Sequence, residues 1–119
     1  MKKIFITVLV LSPLLISCSK KGDPATVTTT AVTSITMTTA ISGGNVTSDG
    51  GSAVSAKGIC WATHSLPTLS DITSVDGVGL GAYNSYLTKL QAGTVYYVRA
   101  YATNKAGTAY GNEVSFETY

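Results

Sequence analysis

The chain has 119 residues, 45% of them hydrophobic and 12% charged, which sets aside a disordered chain and leaves room for one globular domain. Its formal net charge is +2, but Lys2 and Lys3 lie in an N-terminal leader, and the remainder carries six basic residues against six acidic ones. A near-neutral domain whose single arginine is Arg99 lacks the clustered positive field that nucleic-acid binding requires, so no nucleic-acid partner is expected.

Met1-Lys2-Lys3 is a short positive head, followed from Ile4 to Ile16 by an apolar run interrupted at Ser12 and Pro13. That run is too short for a bilayer span and has the architecture of a signal peptide. It closes in Leu15-Ile16-Ser17-Cys18, which resembles the lipobox of bacterial lipoproteins. The resemblance implies removal of residues 1–17, a diacylglycerol thioether and an N-acyl chain on Cys18, and membrane attachment through that lipid. Several acyl chains anchor stably where one does not. Ser19 after the cysteine implies, by analogy with Gram-negative sorting, the outer membrane of the cell envelope, with periplasmic and surface-facing orientations both open. Residues 18–24 hold Lys20, Lys21, Gly22 and Pro24 and read as a short tether. The folded domain is expected over 25–119.

From Ala25 onward, β-branched and aromatic residues recur in short runs separated by Gly, Asn, Asp and Ser, and no helical period competes. The pattern predicts an all-β sandwich of about seven strands. Ser34 to Ile41 alternates, with Ile35, Met37, Thr39 and Ile41 on one face, and predicts the second strand, closed by Ser42-Gly43-Gly44-Asn45. Lys57 to Thr63 predicts the third, with Ile59 and Trp61 facing one way and Gly58, Cys60 and Ala62 the other. Trp61 is expected in the core.

Leu90-Gln91-Ala92-Gly93-Thr94-Val95-Tyr96-Tyr97-Val98-Arg99-Ala100 resembles the tyrosine-corner region of fibronectin type III domains. In that pattern a Leu and a tight turn precede a Tyr whose hydroxyl bonds backbone at the corner, and Leu90 and Tyr96 match those positions. The resemblance extends over nearly all of 25–119 and implies a single fibronectin type III-like or immunoglobulin-like sandwich. It departs from the commoner pattern in placing the sole Trp on the third strand. Tyr96, Val98, Ala100 and Ala102 share one face, the small alanines leaving room for a bulky neighbour such as Trp61. Asn104-Lys105-Ala106-Gly107 predicts a hairpin into a last strand over Thr108–Thr118, with Val114 and Phe116 inward. Related modules often stand in tandem, so a longer natural chain in which this module is a stalk stays open.

Chemistry-bearing residues are sparse. With Cys18 lipidated, Cys60 has no disulfide partner, and His64, four residues along a strand, would lie about 13 Å away at the strand rise. Asp49-Gly50 and Asp76-Gly77 read as turns, Asp71 and Asp76 lack the alternating ligands of a calcium loop, and no metal or cofactor is expected. Tyr97, Arg99 and Tyr101 are expected to project to solvent together, over Gly58, Cys60 and Ala62, as a binding face. Such a face suits a protein or a glycan. The expected function is a non-enzymatic envelope lipoprotein serving as an interaction or spacer module, with surface glycan binding as the alternative.

Overall fold

A computed structural model describes residues 22–119, so the leader, Cys18 and tether residues 18–21 lie outside the described residues. Within them the regular structure is all strand: β1 (Thr26–Thr29), β2 (Ala40–Ser48), β3 (Ala56–Ala62), β4 (Ile72–Thr73), β5 (Gly81–Leu87), β6 (Val95–Asn104) and β7 (Gly107–Glu117). They form two antiparallel sheets, β1-β2-β5 and β4-β3-β6-β7. The chain crosses between sheets after β2, β4 and β5, which makes a sandwich.

The period-two alternation along β6 turns Tyr96, Val98, Ala100 and Ala102 into the core, against Val27, Val46 and Leu87 of the facing sheet. Trp61 pairs with Val98 in register and is 5% exposed, with Ile59 and Leu87 sealed beside it. The Tyr96 ring stacks on Phe116 at 5.8 Å between centroids, and its hydroxyl accepts the Gln91 N–H at 2.8 Å above buried Leu90. The stack and the hydrogen bond close the corner where β6 begins.

The second strand is not where alternation places it. It runs Ala40–Ser48, and Ser34–Thr39 is a connection in which the Thr36 N–H donates to Thr39 O at 2.9 Å and Met37 stays exposed. Gly43-Gly44, expected as a turn, lies inside β2. A Cβ on Gly44 would stand 2.7 Å from Ala100 Cβ and 2.6 Å from the Tyr83 hydroxyl, so the strand needs a residue without a side chain there. The β6–β7 ladder bulges between Arg99 and Tyr101. Thr29 of β1 fills the gap: its hydroxyl accepts the Ala100 N–H at 2.9 Å and donates to Asn112 O, while its N–H donates to Asn112 Oδ1 at 2.9 Å. One threonine thereby fastens the edge of one sheet to the interior of the other.

The sandwich has two distinct poles. At one, Asp23 N–H donates to Gly50 O at 2.9 Å, and buried Asn104 donates to Asp23 O and Asp49 O, each at 2.8 Å, while accepting the Ala106 N–H. The incoming chain, the β2–β3 connection and the β6–β7 hairpin are thus joined through one amide. At the other pole lie the β3–β4 and β5–β6 connections and the end of β7. Trp61 fills the core near this second pole, and truncating a buried tryptophan costs about 3–5 kcal/mol. Urea unfolding of Trp61→Ala is expected to show a loss of that size; a change below about 1 kcal/mol would mean that the core does not depend on it.

Candidate functional site

Tyr97, Arg99 and Tyr101 all lie on the outer face of the four-stranded sheet, opposite Ala62, Cys60 and Gly58 in register. They are not an open face. Tyr101 is 2% exposed and its hydroxyl donates to Ser74 O at 2.6 Å, under the backbone that follows β4. Arg99 donates from Nε and Nη2 to Pro67 O at 2.9 and 2.7 Å, with its guanidinium 4.2 Å from the Tyr110 ring centroid. Tyr97 is half-buried. The expectation of a solvent-facing Tyr-Arg-Tyr surface is corrected on this ground: the β3–β4 loop folds back over the sheet and is held by Arg99, and the backbone after β4 covers Tyr101.

That loop is fastened at several points. Ser65 Oγ and the Leu66 N–H donate to the Glu113 carboxylate, and the Leu69 N–H donates to the Tyr110 hydroxyl at 3.1 Å. Leu66 takes φ of 56° to make the turn, and Pro67 is driven fully inward. Cys60 lies beneath, 0% exposed, with its thiol toward Pro67 O at 3.5 Å and Arg99 O at 3.6 Å. Burial pushes the thiol up to about 11, against a smaller lowering by the Arg99 charge. His64 has separate partners, Ser65 O at 3.0 Å and Asp71 Oδ1 at 2.8 Å. Asp71 supplies an orienting carboxylate that spacing alone does not reveal, but it orients an imidazole engaged with the loop.

Folding the loop back creates a groove at the pole away from Asp23. It has a volume of about 690 Å³ and is lined by Trp61, His64, Asp71, Lys89, Gln91 and Tyr96 among others. The β3–β4 loop supplies His64 and Asp71, and the β5–β6 connection supplies Lys89, at φ of 57°, and Gln91. Trp61 and Tyr96 form its floor from the core side, and the indole Nε1 is buried with no hydrogen-bond partner among the described residues. Both His64 ring nitrogens face oxygen acceptors, which only the doubly protonated imidazolium satisfies in full. The Ser65 carbonyl first, and then Asp71, raise its pKa; the Thr68 N–H first, and then His64, lower that of Asp71. The rim therefore sets the Lys89, Gln91 and Asp71 side chains beside the engaged His64 ring. Among the described residues no three His, Cys, Asp or Glu side chains converge as a metal site. Of these groove residues, Lys89 and Gln91 carry no sequence signal of their own, standing in a connection read only for its turn.

No protein-family model and no curated protein matches the chain. Solved structures do. A myokine aligns at a TM-score of 0.59 and 21% identity over 81% of this chain and 98% of that one. The sensor domain of the anti-sigma factor RsgI4 of Pseudobacteroides cellulosolvens aligns at 0.59 and 17% identity over 81% and 95%. A fibronectin type III domain of the human KIAA0970 protein aligns at 0.53 and 10% identity over 94% and 86%. The fold is fibronectin type III-like. At these identities the fibronectin type III likeness is one of architecture, and it accords with the sheet order and the tyrosine corner described above.

Two measurements test the site as described. In a Cys18→Ala protein at mildly alkaline pH, Cys60 is expected to resist thiol reagents while folded and to react on unfolding in urea; rapid labelling of the folded protein would place the thiol at the surface. For the exposed His64–Asp71 pair, the raised histidine contributes below its unfolded pKa and is lost as pH rises through the folded value. The lowered aspartate contributes above its unfolded pKa and is lost as pH falls through its own. NMR titration is expected to give a His64 midpoint above 6.5 that falls in Asp71→Asn; an unmoved midpoint would mean the pair is not formed.

Proposed function

We propose that the chain is a non-enzymatic cell-envelope lipoprotein, with a signal peptide over 1–17, lipid on Cys18, a tether over 18–24, and the sandwich of 25–119 as an interaction or spacer module. The observation that supports it most is the polarity of the domain. The described chain enters at the pole fastened by Asp23 and Asn104, while the polar groove lies at the opposite pole. Lipid on Cys18 would hold the first pole at a membrane and present the second away from it. The sensor-domain likeness fits a module that meets partners, and the location proposed is the outer membrane.

Glycan capture is the second reading, now carried by the groove and not by Tyr97, Arg99 and Tyr101. Asp71, Lys89 and Gln91 set donors and acceptors around one opening, as sugar hydroxyls require. Saturable glycan binding lost in Lys89→Ala would support it, and a flat glycan array would count against it.

Anchoring is tested by growing cells with labelled palmitate. Label on the full chain, absent in Cys18→Ala, is the expected result, and equal labelling of both proteins would reject Cys18 as the acceptor. Protease accessibility on intact and permeabilised cells then assigns the orientation.

A further inference from the structure

The segment joining β4 to β5 shows an apolar surface that the fold does not use. Val75, Val78 and Leu80 are 72%, 67% and 57% exposed. The one carboxylate in the segment, Asp76, is turned inward, accepting the Ser74 hydroxyl at 2.6 Å and that of Ser85. What protrudes is therefore aliphatic and uncharged.

This segment is built, not loose. The Asp76 N–H donates to Lys57 O at 2.7 Å, the Lys57 N–H to Gly77 O at 3.0 Å, and the Gly79 N–H to Val54 O at 2.9 Å. Lys57 is itself buried, with Nζ 3.0 Å from Leu80 O. The β2–β3 connection to which Gly79 is bonded is the same one that binds Asp23 through Gly50. Val78 and Leu80 consequently sit at the pole where the chain arrives from Cys18. Three residues, Ser19 to Lys21, lie between Cys18 and Gly22, and a fully extended chain covers about 14 Å over those four steps.

We infer that this pole docks on the phospholipid surface, with Val78 and Leu80 seated among the acyl chains and Val75 at the headgroup level. The inference rests on the lipid-anchor reading given above. A domain held within so short a reach meets the bilayer as an intramolecular partner, so a small aliphatic contact is enough to bias its orientation. Exposed aliphatic side chains near a membrane are better covered by lipid than by water.

The test uses the full acylated protein in vesicles of phosphatidylethanolamine and phosphatidylglycerol, carrying an environment-sensitive fluorophore at Val78→Cys or, as a control at the far pole, at Val95→Cys. Buried Cys60 stays unlabelled, and mass spectrometry reports the acyl chains on Cys18. Blue-shifted emission at 78, quenched at least twofold more by nitroxide lipids than at 95, is expected, and Leu80→Cys should repeat it. Water-like emission at 78 on an acylated protein would overturn the docking and leave the anchor standing. Absence of acyl chains would overturn both. Shielding of 78 in cell envelopes but not in lipid vesicles would overturn it in favour of a protein partner.

Discussion

The structure depends on closing two sheets without a covalent tie. Cys60 is the sole cysteine among the described residues and is unpaired, so the sheets are held by packing and a few hydrogen bonds. The sheets come close where Gly44 meets Ala100, one strand contributing no side chain and the other only a methyl. Because the sheets approach there, Trp61 and Leu87 can fill the wider space to the side, and Tyr83 can reach across to donate its hydroxyl to Gly58 O at 2.7 Å. Large beside small is how close-packed interiors are filled. Thr29, set into the β6–β7 bulge, does at the edge what the Gly44 and Ala100 approach does at the centre.

Arg99 plays the corresponding part on the outer face. Lying across Cys60, it gathers the Pro67 carbonyl with two N–H groups and rests on Tyr110, so a loop that would otherwise be solvated becomes a lid on the sheet. Burial of the Cys60 thiol and the groove by His64 follow from that arrangement, while Tyr101 is covered by the Ser74 backbone after β4. The charge of Arg99 is spent on backbone and aromatic partners within the domain, which leaves the distal rim to His64, Lys89, Gln91 and Asp71.

What could be read in the sequence divides by range. The tyrosine corner was legible because Leu90, Gln91 and Tyr96 act within seven residues, and the inward set of β6 because alternation is local. The second strand was misread because a glycine pair has two uses. It marks a turn, and it also marks close approach of another sheet, and only the position of Ala100, more than fifty residues away, decides between them. The outward Tyr101 failed for a related reason. Alternation assigns a face but not whether the face is covered, and the cover over Tyr101 is the Ser74 backbone, 27 residues away in the chain. Lys89 and Gln91 meet His64 only through the fold.

On the lipid-anchor reading proposed above, the module is oriented only if the junction between the incoming chain and the fold is stiff. Here Asn104 satisfies both halves of its amide, donating to Asp23 and Asp49 and accepting from Ala106, so the junction is tied to two loops at once. A buried amide with every partner made resists local opening, since freeing one loop would strand polar groups inside. Rotation about the point of entry is correspondingly restricted, and the β4–β5 connection, bonded to the same β2–β3 backbone, keeps a fixed position relative to the incoming chain. The direction in which the distal groove faces is thereby set at the opposite end of the molecule, by an asparagine that touches neither the groove nor the apolar segment.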